Sequence, residues 1–245
     1  MTSATPVAVV TGGARRLGRH LSEVLAGRGY RIVIIYRTSA RTSGHDARDV
    51  VAAIEASGGA ARAIQADISV HADVERAFKD VAANEGRVDL LINNVGNYNP
   101  QEVTLLDPSV WDATIAANLS GAYYCCYHAI KLMPEGGQII SIGMAGLEGI
   151  RANRRGADYY VSKTGLLVLM RALASGYARR KIRVNMVSPG QLDNSIDLPA
   201  PDQIGIVVPL GRAGTLSDIS QAVEYLLDAS YVTGVNIDVA GGYRL

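Results

Sequence analysis

The stretch Val7-Ala8-Val9-Val10-Thr11-Gly12-Gly13-Ala14-Arg15-Arg16-Leu17-Gly18 decides how this chain folds. Val7 to Val10 is a short run rich in β-branched residues, the composition of a buried strand. Thr11-Gly12-Gly13 breaks the run, and Leu17, Leu21, Val24 and Leu25 then mark one face of a helix. Glycines in a turn between a strand and a helix let the backbone approach a pyrophosphate, and the amino end of the helix favours its charge. The same residues would also serve a plain tight turn. The two readings separate only when the rest of the chain is taken into account.

Outward from that turn the pattern repeats. Arg31 to Tyr36, Ala61 to Ala66, Val88 to Asn93, Gln138 to Gly143, Ile182 to Ser188 and Val235 to Val239 read as six further strands. Helical patterns alternate with them: Asp46 to Ala56, Ala72 to Asn84, Val110 to Leu132 as one long helix or two abutting ones, a helix around Tyr159, and Ser217 to Asp228. Strands alternating with helices over short connections predict a single α/β domain spanning residues 1–245. Its expected form is a Rossmann fold, a doubly wound parallel sheet of about seven strands with helices on both faces. Ligands of such sheets bind outside the carboxyl ends of the strands, where the strand order reverses.

Composition narrows the class further. With 245 residues, 48% of them hydrophobic, the chain can bury a full core. A net charge of +1 gives no reason to expect nucleic acid or an acidic membrane as partner. There is no apolar run of membrane-spanning length and no charged start followed by an apolar segment, so a soluble, cytoplasmic protein is expected. Cys125 and Cys126 are adjacent and offer neither a disulfide framework nor metal-ligand spacing, so no metal is expected and both read as reduced helix residues.

Chemistry concentrates in Ala157-Asp158-Tyr159-Tyr160-Val161-Ser162-Lys163. On a helix Tyr159 and Lys163 stand one turn apart, with Tyr160 beside them. A phenol ordinarily releases its proton only near pH ~10, and an ammonium one turn away favours the phenolate. Taken alone, such a pair also arises by chance on a surface helix. At the end of the second strand, Ile35-Tyr36-Arg37-Thr38-Ser39 lacks the carboxylate that holds the ribose 2′-hydroxyl in NAD-binding turns. Arg37, the hydroxyls of Thr38 and Ser39, and Arg15 suit a 2′-phosphate instead, because a guanidinium binds phosphate bidentately. The alternative is a solvated basic edge; the expected cofactor is NADP(H).

These elements together resemble the short-chain dehydrogenases/reductases of the compact type, along essentially the whole chain. The matching positions are the Thr11–Gly18 turn, Asp67, Asn93-Asn94-Val95-Gly96, Asn118, the Tyr159/Lys163 pair, Ser188-Pro189-Gly190, and Val232-Thr233-Gly234 with Gly241-Gly242. The resemblance implies that Gly12, Arg15, Arg16, Leu17, Gly18, Pro189 and Gly190 contact the cofactor. It implies that Asp67 and Ile68 border the adenine and that Asn93 to Gly96, with Asn94 and Val95 between them, line the adenosine side. Lys163 would hold the nicotinamide ribose and lower the Tyr159 pKa, Asn118 would position a relay water, and Tyr159 would protonate the substrate as hydride arrives. Dimers or tetramers built on the Tyr159 helix are implied as well.

Two departures bear on the substrate. Arg16 stands at the usual second glycine, giving Thr-Gly-x-x-x-Arg-x-Gly, which resembles the pteridine reductases; Tyr98 falls where those enzymes stack an aromatic, or else anchors its loop. At the end of the fifth strand the family places a serine, and pteridine reductases an aspartate, where this chain has Met144. Ser141, three residues earlier, is expected on the opposite face by strand alternation. Methionine has no hydrogen to donate, so either another group (Tyr98, Tyr160 or the loop Arg151 to Asp158) supplies it, or the enzyme is slow, or the substrate needs less help. That loop carries Arg151, Arg154 and Arg155 and suits an anionic substrate, or is simply solvated. Three functions follow: a reductase of a small, planar carbonyl or C=N compound, a pteridine reductase, or a low-turnover NADP-binding sensor or scaffold. The region Gln191 to Val208, short and containing Pro199 and Pro201, argues against a long acyl chain.

Overall fold

A computed structural model describes residues 5–38, 44–149, 153–195 and 198–244, so Ser39 and Arg151 lie outside the described residues. The strands are β1 (Val7–Thr11), β2 (Arg31–Tyr36), β3 (Ala60–Gln65), β4 (Leu90–Asn93), β5 (Gln138–Ile142), β6 (Arg183–Pro189) and β7 (Asn236–Val239). They pair in parallel as one seven-stranded sheet of order β3-β2-β1-β4-β5-β6-β7. The order reverses between β1 and β4, so the glycine turn and the segment after β4 open on the same crevice.

The alternation of each strand sorts its side chains between two layers. Ala8, Val10, Ile32, Ile34, Leu90 and Ile92 pack with Leu21 and Leu25 of α1 (Arg16–Gly27) and Val50 and Ile54 of α2 (Gly44–Ala56). Val7, Val9, Val33, Ile35 and Leu91 pack the other way, onto Val74 and Phe78 of α3 (His71–Asn84). The same layer takes up α4 (Pro108–Ile115), α5 (Gly121–Leu132) and α6 (Ala157–Tyr177), while α7 (Ile204–Val207) and α8 (Leu216–Asp228) precede the last strand. Side chains buried on both faces are what let β1 be fully buried along its length. Helix starts follow local chemistry. Asp107 caps α4 by accepting from the Ser109 N–H, with Pro108 at the first helical position, and Thr215 with Asp218 forms a capping box on α8.

The expected helix from Val110 to Leu132 is α4 and α5 joined without a break by one π-helical turn, Ala116–Ser120. Cys125 and Cys126 are buried free thiols on α5, and burial pushes Cys126 up to about 12. Among the described residues no helix is long and apolar enough to cross a membrane.

Candidate active site

The glycine turn is shaped by close contacts that only glycine permits. Gly12 has a left-handed φ of +64°, and a Cβ on Gly18 would lie 2.1 Å from the Gly12 carbonyl oxygen. Asn94 braces the turn from the neighbouring strand: its N–H donates to Thr11 Oγ1 at 3.0 Å and its amide to the Thr11 carbonyl at 3.1 Å. Arg15 is exposed just before α1, while Leu17 packs inward on the α1 layer. Arg16 adopts φ +50°, unusual for a non-glycine, and its guanidinium donates to the carbonyl of Asn194 at 2.8 Å.

A small cleft of about 60 Å³ lies beside the turn, lined among others by Gly12, Tyr36, Arg37, Asp67, Ile68 and Val95. Arg37 and Asp67, singled out for different parts of a nucleotide, form an ion pair at 2.9 Å. Burial pulls the Asp67 carboxyl upward, but hydrogen bonds from Ser69 and the Arg37 guanidinium outweigh it and leave the group below its ordinary value. Thr38 accepts from the Gln65 amide at 3.2 Å. Asn93, placed by resemblance on this side, turns its amide into the core toward Cys126 and Ser141 instead. Strand alternation explains this: β4 ends at Asn93, whose side chain shares the face of Leu91.

A larger cleft of about 530 Å³ gathers the remaining residues: Arg16, Gly96, Tyr98, Met144, Tyr159, Tyr160, Pro189 and Gly190 all line it. Lys163 is only 2% exposed and donates to the Ile142 carbonyl at 2.7 Å, with its Nζ 5.8 Å from the Tyr159 ring centre. Burial alone lowers its ammonium from 10.5 to about 8. Tyr98 meets Tyr159 edge to face at 5.0 Å. Gly156, left-handed before α6, brings the helix start so near that a Cβ there would lie 3.1 Å from the Tyr98 ring. Asn118 sits in the π-helical turn, a distortion that re-aims side chains at functional sites. Its oxygen accepts the Asn97 N–H at 2.7 Å, and its amide donates to the Asn97 carbonyl at 2.9 Å and to Ser162 Oγ at 3.1 Å. Ser162 in turn donates to the Tyr159 carbonyl at 2.8 Å. Asn118 thus pins the loop carrying Tyr98 to the helix carrying Tyr159.

Known proteins share this sequence and fold. A family model described as Enoyl-(Acyl carrier protein) reductase matches residues 12–244. Carbonyl reductase family member 4 of Xenopus tropicalis is 33% identical, covering 98% of this chain and 99% of its own. The 3-oxoacyl-[acyl-carrier-protein] reductase of Bos taurus is 32% identical over 98% of each. A blue fluorescent protein from a metagenomic library, solved in complex with NADPH, is 31% identical, with a TM-score of 0.91 over the full length of both chains. The chain belongs to the short-chain dehydrogenase/reductase family. It is therefore an oxidoreductase by family.

The fifth strand runs toward Met144. The strand ends at Ile142, so its alternation does not reach Met144, and the expectation that Ser141 and Met144 face opposite ways is corrected. Both pack on the α5/α6 layer. They differ in depth: Ser141 is fully buried, donating to Met170 Sδ, whereas Met144 reaches the cleft. Met144 therefore brings no hydroxyl to the cleft at this position. Tyr160 is close by, its hydroxyl accepting from Asn153 at 2.8 Å. Arg154 pairs with Glu102 and Arg155 donates to the Pro100 carbonyl, so both bind the neighbouring loop.

Several residues of the cleft are not singled out by sequence, namely Asn97, Gln191, Asn194, Ser195, Tyr243 and Arg244. One signal was available for the last two. In a parallel sheet, residues following the final strand must emerge at the same edge as those following β6, and the register aligns Pro189 with Val239. Gly241 to Arg244 could be placed beside Pro189 and Gly190 on that ground.

Proposed function

We propose that the protein is an NADPH-dependent reductase of a small carbonyl or C=N compound, with Tyr159 as general acid. The observation that carries this reading is Tyr159 lining a cleft beside the glycine turn, with Lys163 buried 5.8 Å from its ring centre and Asn118 joined to its backbone through Ser162. The turn from Gly12 to Gly18, Arg37, Thr38, Asp67, Ile68, Asn94 to Gly96, Pro189 and Gly190 would hold the nucleotide. Its backbone cradle is too tight for any Cβ at Gly18, which fits the close approach of a pyrophosphate. NADPH, when bound, supplies the hydride.

The remaining steps fall to the chain itself. Tyr159 donates its phenolic proton to the substrate oxygen or nitrogen. Lys163, a cation poised near neutrality by burial, favours the phenolate left behind. Asn118 fixes the Tyr98 loop and, through Ser162, the backbone of Tyr159. Tyr98 and Met144 line the cleft and would pack against a planar skeleton. The phosphate-selective reading of the nucleotide end rests on Arg15 and Arg37 in place of a carboxylate, and a relative in complex with NADPH agrees with it.

A second reading, reduction of a dihydropterin, is favoured by Arg16 and Tyr98 lining one cleft. Met144, in place of an aspartate, weighs against it. A homo-oligomer, dimer or tetramer, is proposed through α5 and α6, where Tyr123, Tyr127, Val161 and Val168 are exposed large apolar side chains. The functional test is NADPH oxidation by the purified protein against ketones, quinones, imines and 7,8-dihydrobiopterin. Reduction of a ketone or imine supports the main reading, and reduction of the pterin alone supports the second. Nucleotide binding without turnover of any of them would leave the sensor role.

A further inference from the structure

We propose that Arg244 anchors an anionic group of the substrate, so that the cleft selects carbonyl compounds bearing a carboxylate. This deepens the reductase reading of the same cleft and rests on it.

Tyr243 and Arg244, after β7, line the site. After β7 the backbone turns tightly through Gly241 and Gly242, with φ of +61° and +86°, and the Tyr243 N–H closes on the Ala240 carbonyl at 3.0 Å. The turn is seated on the residues just after α7: a Cβ at Gly241 would lie 2.8 Å from Val208, and one at Gly242 would lie 2.9 Å from the Pro209 ring. Arg244 then takes φ +63°, a conformation that L side chains adopt only where the surroundings impose it. Its stem lies against Gly146, two residues beyond Met144, where a Cβ would come within 3.0 Å of the Arg244 Cβ. Its guanidinium stands 5.0 Å from the ring centres of both Tyr160 and Tyr243. The two phenol rings suit a guanidinium as neighbours. A guanidinium also carries several in-plane donors, so the phenol oxygens can engage some and leave others for a ligand.

The electrostatics point the same way. Arg16 contributes a second guanidinium to the cleft, and no Asp or Glu is among the described residues lining it. Among the described residues neither arginine forms an ion pair with a carboxylate. Two positive charges in a concave site, with no Asp or Glu among the described residues lining it, focus a field that favours an anion. Planar, bidentate recognition favours a carboxylate. Arg244 is separate from the Arg37 end, which pairs with Asp67 in its own cleft. A substrate held by its carboxylate is also oriented without a hydroxyl at position 144, which accounts for a methionine there.

The test uses benzoate and benzamide, alike in shape and different in charge, titrated calorimetrically into the protein–NADP⁺ complex. Wild type should bind benzoate at least ~10-fold more tightly, the scale of one charge-assisted contact. Arg244→Met and Arg244→Gln should remove that preference, and Arg244→Lys should keep part of it. NADPH affinity checks that each variant is folded, and two neutral replacements guard against the loss of one. Equal binding of the two probes by wild type, or an undiminished preference in whichever neutral variant is folded, would overturn the proposal. Turnover of benzoylformate and of its methyl ester separates the anion anchor from the reductase reading beneath it. Charge-selective binding with reduction of neither would keep the anchor and reject that reading.

Discussion

The two ends of the crevice are built by opposite strategies. The nucleotide end is made from short contiguous segments directly after β1, β2, β3 and β4, and its shape is set by backbone contacts such as Gly18 on Gly12. The end proposed for the substrate is assembled from segments far apart in the chain: Tyr98, Met144, Tyr159 and Tyr160, Asn194, and Arg244 line one cleft. The first end tolerates almost no change of backbone. The second depends on side-chain identity over a fixed frame. A fold of this kind can keep one frame while the chemistry of a side-chain-built site changes.

The comparison can be broken most directly at Gly18. Gly18→Ala places a methyl where the Gly12 oxygen sits. NADPH affinity should fall about 100-fold or more, about 2.7 kcal/mol, as read by fluorescence titration. Retention of wild-type affinity would mean that the turn does not carry the cofactor.

Lys163 tests the join between the ends. Burial lowers its folded-state pKa from 10.5 to about 8. Between those values the unfolded chain binds the extra proton, so wild-type stability gains from this site as pH rises. Lys163→Met lacks that gain. In denaturant unfolding without nucleotide, wild type should gain on the variant by up to about 3 kcal/mol between pH 7 and 10.5. Parallel pH profiles would show that the lysine is not desolvated in solution.

A smaller effect is expected at Arg37. Wild type should bind NADPH at least ~10-fold more tightly than NADH, and Arg37→Asp should reverse much of that. Part of the change will reflect the broken pair with Asp67. Equal affinity of wild type for both nucleotides would remove the phosphate argument. Smallest of all, Met144→Ser should raise kcat/KM for simple ketones less than ~3-fold, because another group orients the substrate. A gain of ~10-fold or more would show that the missing hydroxyl limits the enzyme.

Legibility followed the same division. The seven strands and the glycine turn could be read from period and composition, since each is local. The Tyr159/Lys163 pair could be read because one helical turn joins it. Three things needed the fold. Asn93 could not be told from Asn94 without the strand end that turns one inward and the other onto the glycine turn. The pairing of Arg37 with Asp67 spans 30 residues and depends on the β2–β3 register. Arg244 lies more than eighty residues beyond Tyr160, and only the edge position of β7 brings them together. Ser141 shows the limit of alternation: it predicts faces only as far as the strand continues.

Everything proposed for the site turns on Tyr159 performing the proton transfer while the cofactor end stands independently of it. The most direct measurement pairs NADPH titration with single-turnover reduction of the best ketone or imine, for wild type, Tyr159→Phe and Tyr160→Phe. Tyr159→Phe should lose turnover by about 10²–10⁴, the range for a general acid. Its NADPH affinity should stay within about threefold, under 1 kcal/mol, of wild type, and Tyr160→Phe should be the milder variant. An active Tyr159→Phe enzyme beside a dead Tyr160→Phe would contradict this assignment.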